Sequence, residues 1–295
     1  MQLLCLSLVV MRCQPLRRAL SDSIIVIIGV QMSTVMNNPA ARLLNILEEG
    51  KRQNVAQNCR TVWCKLLDID PTDKVIFLGK LGKVLALSAE VVDELKKVDG
   101  INIERYMHWC QPVEQAFSES NFNGAWHDFS KHLNEHVFNY LTMTSDFLSL
   151  RAPQAILPKG DVEKISTGAR ELISEIVAAN LPDHIKSYML SQLKKVVVAA
   201  DDYKITGSKE VVQIVEETFG HAILKHDLVK PVESNPIAKK FWTFMANAAV
   251  VTTIATGALQ LAPTVTKLLP DIRFTQDAVV EVIENQDQVN IDEIA

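Results

Sequence analysis

The residues most able to do chemistry lie at 132–136, where His132, Leu133, Asn134, Glu135 and His136 follow one another. On a helix, His132 and His136 project from one face a turn apart, with Glu135 beside them. Two imidazoles at that spacing can hold a zinc ion while the neighbouring carboxylate serves as general base toward a bound water. A third ligand, a carboxylate, is required. A second candidate set is Cys59, Cys64, His108 and Cys110. Zinc knuckles gather their ligands on turns at short spacings. Each pair here falls inside a helical pattern without a Gly or Pro knuckle, so these cysteines read as small buried hydrophobes.

The H-x-x-E-H pattern resembles that of the inverted zinc metallopeptidases, and the resemblance implies a hydrolytic zinc site with a downstream carboxylate, for which Glu210 and Glu217 lie at a similar separation. In this reading His132, His136 and Glu210 hold metal and Glu135 is catalytic. The surroundings of the pattern point elsewhere. Those enzymes resemble large α/β folds, whereas the flanking segments here read helical and offer little strand material. Leu133 and Val137 carry an apolar stripe, and the histidines fit on its shoulder. The sequence also holds no glycine-rich phosphate loop, nucleophile elbow or dinucleotide fingerprint. The expectation is a non-enzymatic protein with no cofactor, the zinc hydrolase being the alternative.

The elements that would position these residues are helical. The expected fold is all-α, of multi-helix bundles with one long central helix and a single C-terminal hydrophobic helix. The chain has 295 residues, 48% of them hydrophobic and 22% charged, which is a globular balance. A net charge of -5 provides no overall basic field for phosphates, so no nucleic-acid partner is expected. Five cysteines without a regular framework fit a reducing compartment. Residues 1–36 differ from the rest: apolar runs at Leu3–Met11 and Ile24–Val30 flank Arg17 and Arg18, the wrong order for a secretory signal. They read as an overlong start before Met32 or Met36, or as a poorly formed membrane-targeting segment.

From Asn38, with Pro39 at a first helical turn, the pattern is punctuated helix. Ala40, Leu43, Leu44 and Leu47 form one stripe, and Val55, Cys59, Val62, Trp63, Leu66 and Leu67 a second. Both are expected to face a core; Pro71 opens a third segment, in which Val75, Leu78, Leu81 and Leu85 repeat the spacing and Gly79 and Gly82 interrupt it. Ser88 reads as the N-cap of a further helix closed by Gly100, and Ile101–Phe117 as another. The longest expected helix is 125–150, about 39 Å. Pro153 and Pro158 mark a linker, dividing an N-terminal domain (38–150) from a three-helix block (161–230) capped by Asp161 and Asp183.

Within that block the cadence of Leu181-Pro182, Leu190 with Leu193, Asp202 to Gly207, and a helix ending at Gly220 resembles uncharacterised helical proteins of bacteria and their mobile elements. The resemblance covers about fifty residues, from Glu171 to Gly220. It implies a helical hairpin sometimes followed by a hydrophobic segment, and a bacterial or phage origin. It transfers no activity and no site residue.

Such a segment follows at 237–262. Phe241 to Ala262 carries no charge, follows Lys239 and Lys240, and opens with the aromatic pair Phe241 and Trp242. It has the roughly 20 residues that a bilayer core needs, with basic and aromatic anchors for the cytoplasmic side. Ala249, Thr253 and Gly257 would form a small-residue seam for helix pairing. The alternative is a helix completing a bundle core, its threonines bonded to backbone carbonyls. Residues 271–295 are an acidic tail, read as solvated or as a docking peptide. The expectation is an interaction or anchoring protein at the cytoplasmic side of the inner membrane, with a protein partner or self-association. A wholly soluble cytoplasmic interaction module is the runner-up.

Overall fold

Helix α1 (Pro39–Lys51) begins because Asn38, in extended conformation, accepts the Ala41 N–H on Oδ1 at 2.9 Å while Pro39 occupies a position that needs no donor. Ala40, Leu43, Ile46 and Leu47 on its inner face are buried. Asn58 caps α2 (Cys59–Leu66) in the same way, accepting from the Thr61 N–H at 3.1 Å. Trp63 of α2 centres an aromatic cluster, with Phe117, Trp126 and Phe129 at ring-centroid distances of 5.5, 5.6 and 5.1 Å. The contacts with Trp126 and Phe129 are edge-on and that with Phe117 is tilted; aromatic pairs of this kind each contribute about 0.5–1.5 kcal/mol beyond the area they bury. The computed structural model describes residues 37–151, 157, 159–229, 231 and 234–256. The readings of 1–36, Gly257 and the 271–295 tail lie outside them.

Three expected boundaries change. Helix α3 (Lys74–Lys96) is continuous, with no break at Ser88. Asp73 caps it, accepting the Val75 and Ile76 N–H groups at 3.1 and 3.0 Å, and Ser88 is buried in mid-helix. Gly100, at φ +77°, then turns the chain. Ile101–Phe117 is not one helix but a 3₁₀ turn (Ile103–Tyr106) and α4 (Cys110–Glu119). The turn exists because Asn102 bonds the Glu104 N–H at 3.1 Å. The long central helix is also two, α5 (Trp126–Ser130) and α6 (Glu135–Arg151). Asn134 is the reason: its Oδ1 accepts the Val137 N–H at 3.2 Å and starts α6 afresh.

The second half follows as α7 (Lys159–Ala178), α8 (Asp183–Asp201), the single turn α9 (Tyr203–Thr206), α10 (Lys209–Leu224) and α11 (Pro236–Thr256), with a 3₁₀ turn at His226–Leu228 before the last. Asp161 and Asp183 lie inside the first turns of α7 and α8 instead of capping them. Pro182 holds the position before α8, and Asn235 caps α11 through the Ile237 N–H at 2.9 Å. Helices α7 and α8 form a hairpin, and α10 and α11 pack across it. Among the described residues there is no strand, only an isolated bridge between Asn58 and Ala125. The fold is all-α.

Buried apolar side chains form two clusters. One is built by α1–α6, the other by α7, α8, α10 and α11. Ile205 of α9 is an exception, because it belongs to the first cluster although its neighbours in sequence belong to the second. Buried Arg42 of α1 holds it there, donating from Nε to the Ile205 carbonyl at 2.7 Å and from Nη1 to the Asn37 carbonyl at 2.7 Å. Gly207, at φ +63°, follows α9, and a Cβ there would lie 2.6 Å from Asn37 Oδ1 and 2.8 Å from Arg42 Nη1, so one or both side chains would have to shift.

Candidate functional site

The H-x-x-E-H residues do not share a helix. His132 lies in the turn between α5 and α6, largely buried, with Nε2 3.9 Å from Glu119 Oε2. Glu135 is the first residue of α6 and is exposed, bonded to Lys51 at 2.6 Å; His136 is also exposed. Capping by Asn134 therefore separates the residues that the zinc reading needs on one face. Glu210 is elsewhere, bonded to Lys83 of α3 at 3.0 Å, and Glu217 bonds Lys195 at 2.7 Å. That bond holds the Glu217 carboxyl below its usual range.

The cysteine set is not assembled either. Cys59 and Cys64 are core residues of α2, and Cys110 on α4 donates its S–H to Glu114 at 3.3 Å. Burial pushes the Cys59 and Cys110 thiols up to about 12, and that of Cys64 upward, so none resembles an activated thiolate. Among the described residues no three His, Cys, Asp or Glu side chains are placed to hold a metal ion.

The hydrophobic segment has its described part in α11. Phe241, Trp242, Met245, Ala246 and Ala249 are buried in the second cluster. The Trp242 ring lies 5.8 Å from that of Phe219 on α10 and 5.2 Å from that of Phe241. The aromatic pair expected at a membrane interface thus packs inside the protein, and Ala249 of the expected seam is covered by the chain's own helices. Thr253 lies in the last described turn of α11, which is described as far as Thr256, and Gly257 lies beyond it. Among the described residues no helix is long and apolar enough to cross a membrane.

An ionic clasp joins the halves. Lys80 and Lys83 of α3 reach buried Asp202 at 3.0 and 2.8 Å, and Lys83 also reaches Glu210. A cleft of about 930 Å³ opens nearby, lined by Glu48, Glu49, Arg52, Lys65 and Lys204 among others. Its charges alternate in sign and partly neutralise each other, Lys204 bonding Glu49 at 2.5 Å and the Leu66 carbonyl at 2.9 Å. No ligand charge is selected there.

The outward face of α3 is different. Phe77, Leu81, Val84, Leu87, Val91 and Leu95 point inward, as one amphipathic face would. The opposite face, however, carries Val75 (81% exposed), Leu78 (64%) and Leu85 (39%). Gly79, Gly82, Ala86 and Ala89, all exposed, fill the space between them. A methyl group on Gly79 or Gly82 would meet nothing within 4 Å. Of Val75, Leu78, Leu81 and Leu85, which repeat the helical spacing, only Leu81 reaches the core. Beside the C-terminal part of this face, a groove of about 790 Å³ runs between α3 and α4, with Val92, Asp93, Glu114 and Phe117 in its lining. The sequence signal that could have found it is the doubled periodicity of 74–96, two apolar stripes on one helix.

No family model, no curated protein and no solved structure matches the chain, so the bacterial or mobile-element resemblance read at Glu171–Gly220 gains no support.

Proposed function

We propose that the protein is a non-enzymatic helical interaction module that binds another protein chain through the outward face of α3. The observation that carries this reading is the face itself, uncharged from Val75 to Ala89 and exposed along four turns. Scattered surface leucines are ordinary; a contiguous apolar strip on one helix marks a contact site. Two mid-helix glycines add to the case, since each costs about 1 kcal/mol relative to alanine and neither is demanded by a neighbour within the fold. The reading takes α11 as a core helix, its aromatic pair being committed to Phe219 and the second cluster.

A photo-reactive amino acid placed at Leu78 or Leu85 in the protein expressed in cells tests this. Leu150, 85% exposed near the end of α6, is the control for random collision. Discrete protein adducts at Leu78 and Leu85, and none at Leu150, are expected. Yields at Leu78 and Leu85 no higher than at Leu150 would remove the reading.

A further inference from the structure

We infer that the partner of the α3 face is a second copy of this chain, bound with its own α3 antiparallel. The inference rests on the interaction reading above and names its occupant. Along the face Val75, Leu78, Gly82, Leu85, Ala89 and Val92 alternate at three- and four-residue steps, the spacing at which two helices pack knobs into holes. Side-chain sizes along it are self-complementary in one direction. With the two-fold axis between Lys83 and Val84, Val75 is level with Val92 of the second copy, Leu78 with Ala89, and Gly82 with Leu85. Large meets small in the two central layers, so the backbones can approach closely at Gly82. A parallel pair instead sets Gly82 on Gly82 and Ala89 on Ala89, which leaves two layers underfilled.

Charge selects the same direction. Lys74 is exposed at the start of the face and pairs with no described acid. The far end carries Asp93 on α3 and Glu114 across the groove on α4, with Lys96 3.4 Å from Asp93. An antiparallel partner brings its Lys74 level with Asp93, at the acidic end of the groove. A parallel partner stacks lysine on lysine and aspartate on aspartate, which costs energy in both places. The groove between α3 and α4 provides the seat for the incoming helix. The stripe runs about 26 Å from Val75 to Val92. Five turns of helix, flanked by the groove only from Leu85 onward, bury on the order of 1,000 Å² in total, the low end for specific interfaces, so the dimer is expected to be micromolar and exchanging.

Sedimentation velocity of the full chain, over a concentration series reaching about 100 μM, should show a reversible monomer–dimer equilibrium. Leu85→Lys should weaken it at least about tenfold, with circular dichroism and melting unchanged because the side chain leaves no core. Orientation is read by oxidising single-cysteine variants against the parent chain as background. Val75→Cys alone and Val92→Cys alone should give no added covalent dimer, whereas their mixture should. Extra dimer from Val75→Cys alone would overturn the antiparallel arrangement, and a dimer indifferent to Leu85→Lys would assign self-association to another surface. A chain that stays monomeric throughout overturns the inference. Photo-adducts to a different protein at Leu78 would then leave the interaction reading standing, and their absence would remove both.

Discussion

Trp242→Ala measures whether α11 belongs to the core. The side chain is fully buried, against Phe219 and Phe241. Truncating a buried Trp costs about 3–5 kcal/mol in lost transfer energy and residual cavity, the aromatic contacts included. One credit opposes this. The Trp242 Nε1–H finds no hydrogen-bond partner among the described residues, so the parent already bears part of a desolvation cost of about 1–3 kcal/mol that alanine removes. The net expectation is a loss of about 3 kcal/mol. Trp242→Phe removes the same N–H and keeps most of the ring, so it should stay within about 1 kcal/mol of the parent. Urea unfolding followed by far-ultraviolet circular dichroism reads both, the midpoint shift being converted at constant slope. An interfacial anchor would be insensitive to either change. Trp242→Ala within about 0.5 kcal/mol of the parent would refute the core assignment and restore the membrane reading of 241–262.

Three further outcomes follow from the geometry. Gly207→Ala should cost about 2–3 kcal/mol in a thermal melt, since it places a Cβ at positive φ and against Asn37 and Arg42; a melt like the parent's would mean that α9 relaxes freely. Burial lowers the Lys83 pKa, but its hydrogen bonds to Asp202 and Glu210 outweigh this and hold it above 10.5. The stabilisation is then fully present below 10.5 and is lost as pH rises through the folded value, so Lys83→Met should flatten the alkaline limb of a stability–pH profile. An unchanged limb would show that the clasp is not coupled to folding. Finally, Cys59, Cys64 and Cys110 should resist maleimide at neutral pH in the folded chain and label fully in urea, as read by peptide mass mapping. Rapid native labelling of Cys59 would contradict its burial.

What could be read from the sequence was local. Asn38-Pro39 announces α1 because the cap bond and the proline act within four residues. The inner stripes of α2, α7, α8 and α10 each have one apolar side, so period alone orients them. Helix α3 defeats that logic, because two stripes of opposite fate share one period and only tertiary packing selects Leu81 over Val75 and Leu78. At 131–134 the signal was present but outvoted: Asn134 prefers to bond the backbone ahead of it, and the apolar spacing of Phe129, Leu133 and Val137 bridged the break as if it were helix. The zinc candidate rests on the same spacing, since His132 and His136 share a face only on an unbroken helix. The charge-free run after Phe241 has a composition that a membrane would accept. The burial of its described part depends on Phe219 and on the α7–α8 hairpin, which no local window contains.

The Ile205 insertion limits how this chain can be rearranged. A segment encoded late in the sequence supplies a wall of the hydrophobic interior assembled by the early helices, and Arg42 waits there for a carbonyl more than 150 residues downstream. A fragment ending at Arg151 would carry an open socket and a guanidinium stripped of one acceptor, while the remainder would carry a plug with nowhere to go. The two halves are thus poor candidates for trading as cassettes in a gene fusion. Co-expressed as separate pieces, they would be expected to find each other through that one turn of helix.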